Sequence, residues 1–459
     1  MFRVDAADVA ARTPPDRDRV VDVVRLGAIT MVVLGHWLVA VVLVQDGEVI
    51  TGRLLDVVPA TQWLTYLFQV MPLFFLVGGA VNLGSWERAR GQGTPAAAWI
   101  RRRARRLLVP VVPLLALWIP LALLLGRAGL PEDEVAMATR TAFMPVWFLV
   151  VYLLAVGLVP ITARLHRRFG VLIVVAAAVV ATGAIDAAHR AEVPVVGFAN
   201  YLLVWGGIHQ LGYAWADQQL PSRRISALAM AGGAAAAIVL LVSTFGYPLS
   251  VVATETGTRS NTEPPTLVIW ALALGQLGVV LAARPALRRW LQRPRMWAPI
   301  VTAGSVIITV FLWHMTAMIV VAALTHPTGL WPATDQVDAT WWVFRPLWLI
   351  LCGAVLAGLV AVFRRFESPP DPPPQGGRIR TVVGVVATVT GLALVLTGGL
   401  YTPERNSDLP LGALGLVLVG FGALGVLWPH SRIDGGDEGA DRRRDASRQE
   451  RSEHATSER

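Results

Sequence analysis

The chain has 459 residues and no lysine, so all 40 of its basic residues are arginine; it has a single cysteine and only 15% charged residues. One cysteine, Cys352, excludes an internal disulfide. A soluble chain carries about a quarter charged residues, whereas this one has 54% hydrophobic residues and a mean hydropathy of +0.56. No Asp or Glu falls at the centre of a long apolar run, and the histidines lack the close spacing of metal ligands, so no metal motif is visible. No cleavable signal peptide is expected, because the first apolar run is long and no small-residue cleavage pattern follows it. Neither paired halves nor broken helices at corresponding positions, which many transporters show, can be found.

What is present is a series of apolar runs of about 20 residues separated by short charged or proline-containing stretches. They begin near Arg25, Trp63, Leu107, Val146, Val171, Phe198, Ile225, Leu267, Ile300, Trp341, Thr381 and Leu411. The pattern predicts an all-α polytopic transmembrane helix bundle of about twelve spans. Seven arginines lie between Gly84 and Arg106, but only Arg53 lies between Asp46 and Gln62. "RLHRRF", "PSRRIS" and "RPALRRWLQRPR" continue the alternation, which places both termini on the cytoplasmic side. The net charge of +9 is therefore topological and is not a nucleic-acid signal.

The runs divide the chain into a cytoplasmic segment (1–19), a ten-span core (20–365), a linker (366–380), two further spans (381–428) and a polar tail (429–459). The linker "ESPPDPPPQGGR" cannot continue a helix. The two further spans hold no ionisable residue, and their glycines suit close helix packing, so they are expected to be accessory. The tail is mixed in charge and expected to be disordered.

The first span reads "RLGAITMVVLGHW". Eleven residues at 100° each are three turns plus roughly 20°, so Arg25 and His36 share a helix face about 16 Å apart. An arginine at the cytoplasmic boundary and a histidine inside the membrane suit a ligand with an anionic head and a reactive far end. Acyl-coenzyme A is such a ligand: phosphates for arginine, a thioester for imidazole. The same pair also fits an interfacial anchor and an interhelical hydrogen bond.

Arginine, ten residues, histidine in a first span resembles the integral-membrane acyltransferase type 3 family. "MPLFFLVGG" (Met71 to Gly79), "RRRARRLLVP" (Arg101 to Pro110), "VWFLVVYLL" (Val146 to Leu154) and "VFLWHM" (Val310 to Met315) resemble further elements of that family, in its order. The resemblance covers roughly residues 18–365. It implies transfer of an acyl group, often acetyl, from cytoplasmic acyl-CoA to a hydroxyl of a sugar, polysaccharide unit, lipid or secondary metabolite. His36 would be the catalytic histidine and Arg25 its companion on the donor side, with the arginine pair of the third span at Arg102 and Arg106.

Arg102 and Arg106 are an i, i+4 pair, and guanidinium groups bind phosphate bidentately. Five arginines within Arg101 to Arg106 exceed what orientation requires, although positive-inside anchoring accounts for part of the cluster. His314 is also mid-span; a catalytic role and an interhelical hydrogen bond are both open to it. His209 is expected to pack or to line a cavity, and Arg345 to anchor at an aromatic belt. A general-base histidine is usually oriented through its other ring nitrogen. Gln69, Asn82, Asn200 or a backbone carbonyl are the candidates for that role.

These readings converge on a multi-pass cell-membrane O-acyltransferase with acyl-CoA as donor, a hydroxyl-bearing acceptor and His36 as general base. An imidazole, with a reference pKa of about 6.5, suits proton abstraction near neutrality. Nucleophilic attack by His36 itself is the second mechanistic route. A secondary transporter and a non-catalytic membrane scaffold are the rival functions.

Overall fold

In lipid only a helix or a closed barrel satisfies its own backbone, so apolar runs of bilayer length become helices. The computed structural model describes residues 13–14, 17–45, 48–254, 259–328, 330–331, 336–367, 377–402 and 408–427. Its principal helices are α1 (Arg19–Val39), α2 (Met71–Gly91), α3 (Ala96–Leu108), α4 (Val111–Arg127), α5 (Glu132–Phe143), α6 (Val146–Arg190) and α7 (Ala199–Ala216). They continue with α8 (Arg224–Ser243), α9 (Leu267–Leu291), α10 (Pro294–Gly304), α11 (Ile307–Thr325), α12 (Ala339–Phe363), α13 (Arg378–Gly398) and α14 (Leu411–Leu424). The start of the N-terminal segment, most of the proline-rich linker and the polar tail lie outside the described residues.

Among the described residues, eight helices are long and apolar enough to cross a membrane, or nine if α3 and α4 count as one span bent by 44°. The apolar runs suggest about twelve, and four places account for the difference. The α6 helix has 45 residues, and unbroken it would be roughly twice as long as a bilayer core is thick. Gly170, at φ 76°, breaks it where "RLHRRF" separates two apolar runs. The α7 helix is not among the eight, because it carries the buried polar residues Asn200, His209 and Gln210. The α3–α4 bend is the third place, and the 14-residue α14 is the fourth.

One feature departs from the all-helical expectation. Immediately after α1, β1 (Ala40–Gln45) and β2 (Glu48–Arg53) pair antiparallel, with Ala40 opposite Arg53 and Gln45 opposite Glu48. Between them the sequence reads Asp46-Gly47, the strongest short hairpin signal, flanked by β-branched residues. The twelve-span pattern hides this signal because the strand residues prolong the first apolar run.

The core is built around α2, which packs against α1 and α7, while α7 packs on α6. Phe75 of α2 stacks on Trp205 of α7 at 4.8 Å and meets Phe148 of α6 edge-on at 5.2 Å. The backbones of α2 and α7 touch at Gly79 and Gly212, where an added methyl would strike the carbonyls of His209 and Leu76. A helical Gly→Ala change ordinarily helps by about 1 kcal/mol. At Gly79 the expected outcome is instead a loss of about 1–3 kcal/mol, as for overpacking, read as a lower thermal midpoint of the detergent-purified protein. An unchanged or higher midpoint would contradict this close approach.

The last two helices belong to the same compact unit, which extends to Val426. The α13 helix packs on α6 and α3, and α14 packs on α13 and α3. Arg101 donates to the Thr381 hydroxyl at 3.3 Å, and Arg105 donates to the Gly425 carbonyl. These two arginines are four residues apart, so one stripe of α3 faces α13 and α14.

Candidate active site

Asp18 caps α1 by accepting from the Val20 amide, and the helix then runs seven residues beyond Ile29 to bring His36 into its last turn. His36 Nδ1 lies 2.8 Å from His314 Nε2 of α11, with the rings 5.1 Å apart and 7° from parallel. The other nitrogen of His314, Nδ1, is 2.6 Å from the Phe311 carbonyl. A carbonyl only accepts, so His314 Nδ1 carries the proton and Nε2 of the neutral ring carries a lone pair. His36 Nδ1–H must then donate to that lone pair. The remaining nitrogen of His36, Nε2, is left as a base. His314 is fully buried, whereas His36 is half-buried. The group that orients His36 is thus a second histidine, backed by a backbone carbonyl. None of the side chains considered from the sequence, Gln69, Asn82 or Asn200, is in that position.

Indole hydrogen bonds fasten this end of α1. Trp37 Nε1 donates to the His314 carbonyl and Trp348 Nε1 to the Trp37 carbonyl, each at 3.0 Å. Arg345 donates to the carbonyl of Ala40, and its guanidinium stacks over Trp341 at 3.6 Å. Arg345 is therefore buried against the end of α1, where a cation complements the helix dipole, and is not a free interfacial anchor.

A cavity of about 390 Å³ lies along the same two helices, nearer their arginine-bearing ends. On α1 its lining runs from Arg25 to Ile29, and on α11 from Ile307 to Phe311, one turn short of His314. Arg103, Arg106 and Glu367 add charged groups, while Phe74, Phe148 and Tyr152 form an aromatic wall. A neighbouring cavity of about 220 Å³ is lined by Ser85, Gln92, Trp99 and four arginines, Arg88, Arg102, Arg103 and Arg106. Arg103 and Arg106 belong to both cavities. The Nε atoms of Arg25 and Arg103 are buried with no hydrogen-bond partner among the described residues. A wall with two unpaired guanidinium N–H groups suits an anion.

The positions singled out in the sequence fall into two groups. His36 and His314 meet directly, and Arg25 and Arg106 share the larger cavity; Arg102 lines only the smaller one. His36 itself is not part of the cavity lining and stands two turns beyond Ile29 on α1. Nothing in the sequence distinguishes Arg103 within the cluster, yet it is the half-buried arginine that lines both cavities. Helical rotation alone separates the cluster into a stripe toward α13 and α14 (Arg101, Arg105) and a stripe toward the cavities.

Glu367 escapes a sequence reading because it stands at the start of the proline-rich stretch. Its carboxylate accepts from the amides of Ile308 and Thr309, each at 2.8 Å, and from the Thr309 hydroxyl. It thereby caps the N-terminus of α11, the helix that carries His314. Burial pushes the Glu367 carboxyl up, against these hydrogen bonds and the charge of Arg25, which pull it down. His166, within the basic "RLHRRF" stretch, is buried, and its Nε2 lies 2.7 Å from Asp217. Among the described residues, no group of three or more His, Cys, Asp or Glu side chains is placed to hold a metal ion.

A family model described as an acyltransferase domain matches residues 18–364, most of the chain and all of the helices that build this site. Comparison with curated proteins and with solved structures gives no match.

Proposed function

The chain belongs to the integral-membrane acyltransferase type 3 family, and we propose that it transfers an acyl group, acetyl above all, from acyl-CoA to a hydroxyl. The acceptor class is a carbohydrate, lipid or secondary metabolite. The donor enters from the cytoplasm of a cell-membrane protein with Arg25, Arg102, Arg103 and Arg106 at its phosphates. Its thioester reaches past Phe311 toward His36. His36 Nε2 removes the proton of the acceptor hydroxyl as the oxygen attacks the thioester carbonyl. The carbon–sulfur bond breaks, and the leaving thiolate takes the proton back from His36, which regenerates the neutral imidazole. During this step His36 is transiently cationic, and its Nδ1–H remains directed at the lone pair of His314. His314 acts by holding the tautomer, as the third member of a catalytic triad does.

The observation that supports this reading is the directed chain from the Phe311 carbonyl through His314 to His36, because it leaves a base on the nitrogen that needs one. Purified protein incubated with radiolabelled acetyl-CoA and a panel of sugar and lipid acceptors tests it. Transfer of label, or enzyme-dependent release of free thiol, is the expected result. Movement of acceptor across vesicles without release of thiol would favour a transporter, and neither activity would favour a scaffold. Within the same assay Arg25→Lys should raise the donor KM about tenfold with little change in kcat, since the charge stays but the planar fork is lost. A fall confined to kcat would remove Arg25 from donor binding.

A further inference from the structure

Asn82, on α2, is fully buried at a point where α2, α3, α6 and α7 converge. Its Oδ1 accepts from Arg103 Nη2 at 2.5 Å. Arginine can only donate, so this contact decides which way the amide faces. The Nδ2 group then points at Tyr152 Oη, 3.2 Å away, and at His209 Nε2, 3.0 Å away. Both must accept. His209 is therefore neutral with its lone pair on Nε2, and both amide hydrogens are used. The close contact at Gly79 and Gly212 sets this register, because Asn82 follows Gly79 by three residues and His209 precedes Gly212 by three.

We infer that Asn82, gripped by His209 and Tyr152, is a positioning residue that sets the guanidinium of Arg103 between the two cavities to receive a phosphate of the donor. This rests on the donor reading above and adds to it the device that aims one of the arginines. The chemistry of the grip supports it. A carboxylate at position 82 would hold Arg103 equally well but would neutralise it; a neutral amide holds it with its charge intact for an anion. The amide occupies one edge of the guanidinium, and Nε has no partner among the described residues. Trp99 lies on another side, its ring centroid 5.7 Å from the guanidinium carbon. Two groups, the Asn82 amide and the Trp99 ring, thus restrict a side chain that otherwise has many rotamers, which removes an ordering cost from donor binding.

The test is a double-mutant cycle on the full-length detergent-purified protein, with coenzyme A as the calorimetric probe and donor KM and kcat read in parallel. Asn82→Ala and His209→Phe should each weaken coenzyme A binding about tenfold, the worth of one hydrogen bond to a charged group, with kcat within about twofold. In an Arg103→Ala background, Asn82→Ala should have no further effect. Asn82→Asp should weaken binding similarly while the thermal midpoint is kept. If Asn82→Ala does not fold, Tyr152→Phe, which removes a single acceptor oxygen, reads the same cycle. Equal affinity in Asn82→Ala and wild type, or the same loss with and without Arg103, would overturn the inference and leave the donor reading standing. A wild-type protein that binds no coenzyme A would remove the donor reading and this inference together, and Arg103→Ala would then change nothing either.

Discussion

Replacing His36 with alanine is expected to lower acyl transfer by about 10²–10⁴-fold, the usual contribution of a positioned general base. Insertion and thermal stability should be nearly unchanged, because His36 is only half-buried and its neighbours Trp37 and Val33 supply the packing of that turn. The donor KM should move little, since Arg25, Arg103 and Arg106 are untouched. His314→Phe keeps the ring volume and deletes the acceptor for His36 Nδ1. It should cost about 10–100-fold in kcat by releasing the tautomer. In the double variant the two losses should not add, since His314 acts only through His36. Turnover measured on well-inserted protein decides the matter. Normal turnover of His36→Ala ends the catalytic assignment, and fully additive losses end the role given to His314.

The second large effect concerns sidedness and charge. In sealed vesicles of known orientation, acyl-CoA should support transfer only from the face that carries the arginine-rich loops. Arg102→Gln combined with Arg106→Gln should raise the donor KM by about 100-fold, on the order of two charge-assisted hydrogen bonds. The acceptor KM should stay within about twofold. Because Arg102 and Arg106 are exposed, the difference between wild type and variant should shrink as ionic strength rises toward 1 M, where the screening length falls to about 3 Å. Equal use of donor from both faces would overturn the arrangement proposed for the bundle. A KM effect that is indifferent to salt would place these arginines in structural rather than phosphate-binding roles.

The sequence by itself determined the class of the molecule. Apolar runs of about 20 residues have the length of a membrane-spanning helix and not of a barrel strand, and α1, α2, α8, α9, α11, α12 and α13 all arise where those runs lie. It also determined that Arg25 and His36 share a face, because that relation depends only on 100° per residue along one helix. Periodicity, however, relates a helix to itself and is silent on what stands opposite. His36 and His314 are 278 positions apart, and only the packing of α1 on α11 brings them to 2.8 Å. The division of the Arg101 to Arg106 cluster was equally hidden, since five arginines offer every face and the neighbours of α3 choose among them. Asn82 and His209 stand out in the sequence as polar residues within apolar runs, but their roles, like that of Glu367, exist only through partners on other elements. Fewer helices than apolar runs are long and apolar enough to cross a membrane among the described residues. The Gly170 break, the α3–α4 bend and the short α14 behind that difference belong to the three-dimensional path, which an average over apolar residues does not contain.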